Sequence, residues 1–283
     1  MVNLKELDLD WNYQQEEITN LSFLSDFPNL EILKLRDGKI KDIEPIKELK
    51  KLKEFYISHI ENVDYTPISY CLNLEKLGIT DLYSIELIQN LINLKELHIS
   101  SNSIQDLSPL SNLNNLKKLY LSVDTKNIEP IQYLTNLEKL DIYDSYLKDI
   151  SALSNLKNMK ELNIHKLIVE DLESIKELKN LEILKLSVGS LKDISCLSNF
   201  INLKILDLSK HNEVKDISPI KSLIKLEELN LEKDWINDSI KDKLTDISNL
   251  SNLVNLKKLN LRYWNILDIT PLKSLINLKE LDI

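Results

Sequence analysis

The chain has 283 residues, a formal net charge of −9, 43% apolar residues and 29% charged ones. This is the composition of a folded chain, and its acidic excess argues against a binder of nucleic-acid backbone, which needs a Lys/Arg surplus on one face. No apolar run approaches the roughly 18 residues of a membrane span, no basic stretch followed by an apolar one marks a signal peptide, and two cysteines make no disulfide framework.

From the N-terminus onward one phrase keeps returning. "NLKELDL" at Asn3 becomes "NLEILKL" at Asn29, "KLKEFYI" at Lys51, "NLEKLGI" at Asn73, "NLKELHI" at Asn93 and "NLKKLYL" at Asn115. It continues from Asn136, Asn158, Asn180, Asn202, Lys225 and Asn255, and the chain closes on "NLKELDI" from Asn277. There are thirteen copies, mostly 20–23 residues apart, with longer repeats at 4–29 and 226–255. A fixed period in this range predicts coils that bury their apolar residues only by stacking.

The copy from Leu94 to Asn115 is the clearest, with Leu94, Leu97, Ile99, Ile104, Leu107, Leu110 and Leu113 as its apolar positions. Its "L-x-L" alternation predicts a short strand with one buried face. Stacked copies place such strands side by side, parallel and about 4.8 Å apart. The return segment carries Pro45, Pro67, Pro109, Pro130, Pro219 and Pro271 at one repeat position. Thr66, Ser108, Ser218 and Thr270 precede four of them, an N-cap and first-turn pair that predicts a short 3-10 turn. An Asp recurs three residues before the Pro position, as at Asp42, Asp106, Asp149, Asp193 and Asp216. Each is expected to bond N–H groups of its own turn rather than to build a metal ladder, because its neighbours supply no glycines for a tight cation loop.

The predicted architecture is an α/β solenoid forming a single domain over 1–283, with a parallel sheet on one side and short 3-10 or helical turns on the other. No polar caps are visible, and Leu278, Leu281 and Ile283 would stand at an open end. A solenoid normally ends in capping repeats, so this end predicts either missing sequence or a covering partner chain.

"NSIQDLSPLSNLNNL" from Asn102 and "EVKDISPIKSL" from Glu213 resemble the leucine-rich repeat, and among its classes the internalin type of bacterial surface proteins. The resemblance covers essentially the whole chain. It implies a right-handed horseshoe, a concave sheet that binds a protein partner, and no catalysis. An intracellular phosphatase-regulator-like scaffold, or a structural or targeting segment of a larger multidomain effector or surface protein, is the alternative. The inward Asn of the family stands at Asn12, Asn102 and, after a one-residue insertion, Asn212. It is replaced at Gly38, Ile60, Leu82, Asp124, Ser145, Leu167, Gly189 and Trp264, which predicts a weak Asn ladder.

No catalytic, phosphate-binding or zinc motif appears, so no enzyme, cofactor or metal site is predicted. Cys71 takes the place of a Leu and Cys196 that of a Pro, on coils too far apart for a disulfide, which predicts two free thiols. His59, His98, His165 and His211 fall on different coils and read as lone surface imidazoles. The residues beside each "L-x-L" should face the concave side: Tyr56, His98, Tyr120, Tyr143, Asn163 and His165. Exposed aromatics are enriched in binding hot spots, although Tyr also simply suits strands. Tyr120 and Tyr143 are expected at nearly the same height. Glu96, Lys118, Lys139, Asp141 and Glu161 alternate in sign alongside them. Trp235, Tyr263 and Trp264, with Trp11 near the other end, suggest a contact patch, unless the long repeats pack their own Trp. A protein partner is therefore expected, with no nucleic acid and no membrane span.

Overall fold

The computed structural model describes residues 3–10, 19–36, 39–60, 62–143, 146–234 and 246–283. It divides into two compact units, Met1–Leu137 and Glu138–Ile283. In the first, six strands follow one another: β1 (Glu6–Asp10), β2 (Ile32–Arg36), β3 (Glu54–Ser58), β4 (Lys76–Thr80), β5 (Glu96–Ser101) and β6 (Lys118–Val123). Each pairs in parallel with the next, and Leu7, Leu33, Phe55, Leu77, Leu97 and Leu119 lie in register. The second unit holds β7 (Lys139–Tyr143), β8 (Glu161–Leu167), β9 (Ile183–Gly189), β10 (Ile205–Asp207), β11 (Glu228–Asn230), β12 (Lys258–Asn260) and β13 (Glu280–Asp282). Its register runs Leu140, Leu162, Leu184, Leu206, Leu229, Leu259, Leu281. A slip of one residue would turn every one of these side chains to the solvent face, so burial alone enforces the register.

Burial is close to complete where coils have neighbours. The seven apolar positions from Leu94 to Leu113 are at most 2% exposed. Each such side chain contributes roughly 1.5–3 kcal/mol by leaving water.

The return segments are 3-10 turns such as Ser108–Asn112 and Ser218–Ser222, with Pro at the start. Their capping differs from the expectation. The residues preceding them are Leu107 and Ile217, which make no side-chain cap. The capping oxygen comes from one residue earlier: Asp106 Oδ1 accepts the Ser108 N–H at 2.8 Å, and Asp216 Oδ1 that of Ser218 at 2.8 Å. The same bond forms at Asp149, Asp193, Asp246 and Asp268. The Ser or Thr lies inside the turn, so its own N–H is among the donors that need an acceptor. This backbone bond is the main reason the Asp106, Asp149 and Asp193 carboxyls sit below the ordinary Asp pKa. The column of aspartates thus serves the turns, as the sequence reading expected.

An Asn ladder does exist, but on a position given no role in the sequence reading. In both units, asparagines that open strand phrases donate Nδ2–H to a backbone carbonyl one coil back. In the first unit these bonds are Asn73 to Lys50, Asn93 to Leu72, Asn115 to Ile92 and Asn136 to Asn114, at 2.8–2.9 Å. In the second, Asn180, Asn202, Asn255 and Asn277 bond Lys157, Lys179, Ile224 and Val254. The coil-to-coil tie is therefore repeated along both units.

Cys71 and Cys196 are both free and buried. Burial pushes the Cys71 thiol up to about 11 and that of Cys196 up to about 12. Since the thiolate is the reactive form, the native protein should be inert to Ellman's reagent at pH 8 for hours, and two thiols should titrate at once in guanidinium. Rapid reaction of either thiol in the native state would contradict the burial.

Candidate protein-binding surface

Strand alternation leaves the residues between the core leucines on the open sheet face, away from the 3-10 turns. In the first unit the parallel register aligns Tyr56, Gly78, His98 and Tyr120 on β3 to β6. The His98 and Tyr120 rings stack, with centroids 4.0 Å apart and planes at 13°. Tyr56 meets His98 edge-on at 6.4 Å. It can do so across the intervening strand because Gly78 carries no side chain; a Cβ there would lie 2.5 Å from Tyr56 Cδ1. Gly78 is itself buried and shapes the aromatic row from beneath, and the signal for it was a glycine inside a strand phrase, which marks a close approach.

A charged row runs beside the aromatic one, with Glu54, Lys76, Glu96 and Lys118 in register. Lys76 pairs with Glu54 at 2.9 Å and Lys118 with Glu96 at 3.5 Å. Glu96 also bonds His98 Nε2 at 2.7 Å, which fixes the imidazole on the Tyr120 ring. Burial opposes the Glu96 charge, yet the bond from His98 and the field of Lys118 hold its pKa below the ordinary value. Tyr56 is shifted up, mainly by burial. The row is therefore ordered before any partner arrives: three rings in contact, half-buried, with the adjoining charges already paired.

The other predicted residues distribute differently. Tyr143, at the end of β7, is exposed, and His165 on β8 is half-buried. Tyr120 lies between the core residues Leu119 and Leu121, whereas Tyr143 follows the second core residue of its strand, Ile142. Tyr120 belongs to the first unit and Tyr143 to the second. Asn163 donates to Asp141 Oδ1, and its own Oδ1 is buried without a partner. Tyr263 is exposed, with the Arg262 guanidinium 5.0 Å above its ring. Trp264 is not on the surface. It is 9% exposed, and its indole N–H donates to the Leu231 carbonyl. Trp235 and Trp11, with Asn12, Gly38 and Ser145, lie outside the described residues.

A model of leucine-rich repeats (two copies) matches residues 92–136. An internalin (inlF) of Listeria monocytogenes superposes over 100% of this chain and 81% of its own, at 26% identity and a TM-score of 0.86. A leucine-rich-repeat protein of Leptospira interrogans follows over 95% of this chain and 76% of its own, at 23% identity and a TM-score of 0.73. The chain has the leucine-rich-repeat fold and is similar to the internalins. The plant peptide hormone receptor RGFR1, solved in complex with RGF2, shares the fold over 99% of this chain and 49% of its own, at 18% identity and a TM-score of 0.65. No curated protein matches the sequence.

The inward slot of this leucine-rich-repeat protein, which the family fills with Asn, is rebuilt coil by coil. Six non-glycine residues at strand ends adopt left-handed φ between 55° and 67°: His59, Asp81, Lys166, Val188, Lys210 and Tyr263. The next residue is buried at Ile60, Leu82, Leu167, His211 and Trp264, and at Gly189 it is a half-buried glycine without a side chain. This corrects the reading of His211 as a surface imidazole. It is 2% exposed, with Nε2 at 2.8 Å from the Leu186 carbonyl and Nδ1 accepting the Leu191 N–H at 3.2 Å. Asn102 and Asp124 are also displaced from the slot. Asn102 is exposed and Ser101 is buried beside it, its hydroxyl donating to the Leu82 carbonyl at 2.6 Å. Asp124 is exposed between Val123 and Thr125, which are both buried.

Proposed function

We propose that this leucine-rich-repeat protein is a non-catalytic module that binds a protein partner on its open sheet face. The observation that carries the reading is the ordered row of Tyr56, His98 and Tyr120 over Gly78 in the first unit. Rigid aromatics that present area with little entropy left to lose are the usual anchors of protein interfaces. The peptide hormone receptor RGFR1, of like fold and solved in complex with RGF2, supports a protein or peptide as the ligand class. In the second unit Tyr143, His165 and Tyr263 are proposed as further contacts. Among the described residues no helix is long and apolar enough to cross a membrane.

Affinity capture with the full chain identifies the partner, and titration calorimetry then measures its loss. Tyr120→Ala is expected to weaken binding roughly tenfold or more, the 1–2 kcal/mol of a hot-spot aromatic. Lys118→Glu should act mainly on the association rate and its salt dependence. Lys157→Ala, outside the sheet face, should leave affinity unchanged. A partner indifferent to Tyr56, His98 and Tyr120 would place the contact elsewhere on the protein.

A further inference from the structure

Along the edge where the strands of the first unit begin runs a groove of about 650 Å³. Five lysines line it: Lys50, Lys51, Lys53, Lys95 and Lys117. Only two acidic side chains do, Glu31 and Glu75, which leaves three positive charges in excess in a chain whose net charge is −9. Lys53 pairs with Glu31 at 2.8 Å and Lys95 with Glu75 at 2.6 Å. These pairs are solvent-exposed and cost little to rearrange. The groove also contains Asn73, Asn93 and Asn115, three rungs of the ladder described above. Their amide nitrogens are committed to carbonyls one coil back, at 2.9 Å each. That fixes the amides and leaves their Oδ1 atoms as acceptors, one per coil.

We infer that this groove docks an extended acidic peptide, at a site separate from the aromatic row. Lysines supply the charge that carboxylates need, and the Asn Oδ1 atoms accept the N–H groups of a peptide backbone, donors that a phosphate polymer does not have. The spacing fits as well. Lys53 and Lys95 precede strands two apart, about 9.6 Å by strand spacing. A polyproline II chain returns to the same face every three residues, about 9.3 Å. A peptide with Glu at every third position can therefore keep its carboxylates on the lysines while crossing the coils.

The test uses the full chain and a fluorescein-labelled dodecapeptide of four Glu-Pro-Ala repeats, which keeps a backbone N–H at two residues in every three. Its counterpart with Lys for Glu and a size-matched, labelled inorganic polyphosphate are the comparison probes, all read by anisotropy. The Glu peptide should bind and weaken as salt rises. Lys53→Ala with Lys95→Ala should weaken it at least tenfold. Glu31→Gln with Glu75→Gln should tighten it severalfold, a gain that partial unfolding cannot produce. Asn93→Ala should weaken the peptide and leave polyphosphate unaffected. No binding of the Glu peptide at 1 mM, equal binding of the Lys peptide, or polyphosphate binding with the same dependence on Asn93 would each overturn the inference. Tyr120→Ala should leave this peptide's affinity unchanged, so loss of the aromatic site and loss of the groove are separately visible.

Discussion

Gly189→Ala is expected to destabilise the second unit by about 3 kcal/mol or more, the upper end of overpacking costs. A Cβ at this position would lie 2.0 Å from the Leu167 carbonyl oxygen and 2.5 Å from His211 Cε1. Leu167 and Gly189 are paired in the parallel register of β8 and β9, so the oxygen belongs to backbone that neighbouring coils hold. Relief would need a shift of the strand backbone and displacement of the His211 ring as well. The ring cannot leave without exposing the Leu186 carbonyl and the Leu191 N–H, which it satisfies, and an unpaired buried group costs roughly 1–3 kcal/mol. Guanidinium denaturation of Gly189→Ala against wild type measures the difference. A loss below about 1 kcal/mol would mean the slot is far more compliant than close packing allows. Gly78→Ala makes a useful contrast, because the obstacle there is a Tyr56 ring edge at 2.5 Å on the open face, which can swing aside.

The same slot should make stability depend on pH between about 4 and 6.5. Burial lowers the His211 pKa from 6.5 to about 4 in the folded protein. The geometry agrees: Nε2–H donates to a carbonyl, and Nδ1 must stay unprotonated to accept an N–H. The unfolded chain binds a proton near 6.5 that the folded one refuses until about 4. Stability is therefore fully present above the unfolded value, falls as pH drops through 6.5, and is lost by about pH 4. The whole step is about 3 kcal/mol, at roughly 1.4 kcal/mol per pKa unit. The carboxylates act in a lower window. Glu31, held at about 2 chiefly by its hydrogen bond from Lys53, contributes stability that disappears only as pH falls below its unfolded 4.5. Denaturation of wild type and His211→Gln at pH 7.5, 6.5, 5.5 and 4.5 separates the two. Wild type should lose stability across this range while the variant stays flatter, and parallel curves would show that His211 does not titrate in the slot.

Trp264 carries two opposed signals in the sequence. Its repeat position marked it for the inward slot, and its neighbours Tyr263 and Trp235 marked it for a surface patch. The structure decides for the slot, through the left-handed turn at Tyr263 and the indole bond to Leu231. His211 was misread for the same reason. A one-residue insertion blurs the register in its coil, and the left-handed Lys210 that sends the ring inward has no signature, since lysine rarely adopts that conformation. Gly78 and the opening Asn of each phrase were visible as letters without a role, because their partners, Tyr56 and a carbonyl one coil back, lie about twenty residues away.

The sequence by itself determined the coil. Thirteen phased phrases dictate parallel strands, and the Asp and Pro columns dictate 3-10 turns, because these are short-range matters of side-chain alternation, backbone donors and fixed φ. It also determined which residues stand beside the core leucines, and hence that Tyr56, His98 and Tyr120 share a face. Only the tertiary structure decided that the three rings touch and that a basic groove lies along the strand-start edge of the first unit. Ring contact depends on an absent side chain at Gly78 as much as on the rings, and the fill of each inward slot depends on a single backbone torsion one residue earlier. Neither quantity is periodic, so neither is carried by the repeat that makes the rest of this chain legible.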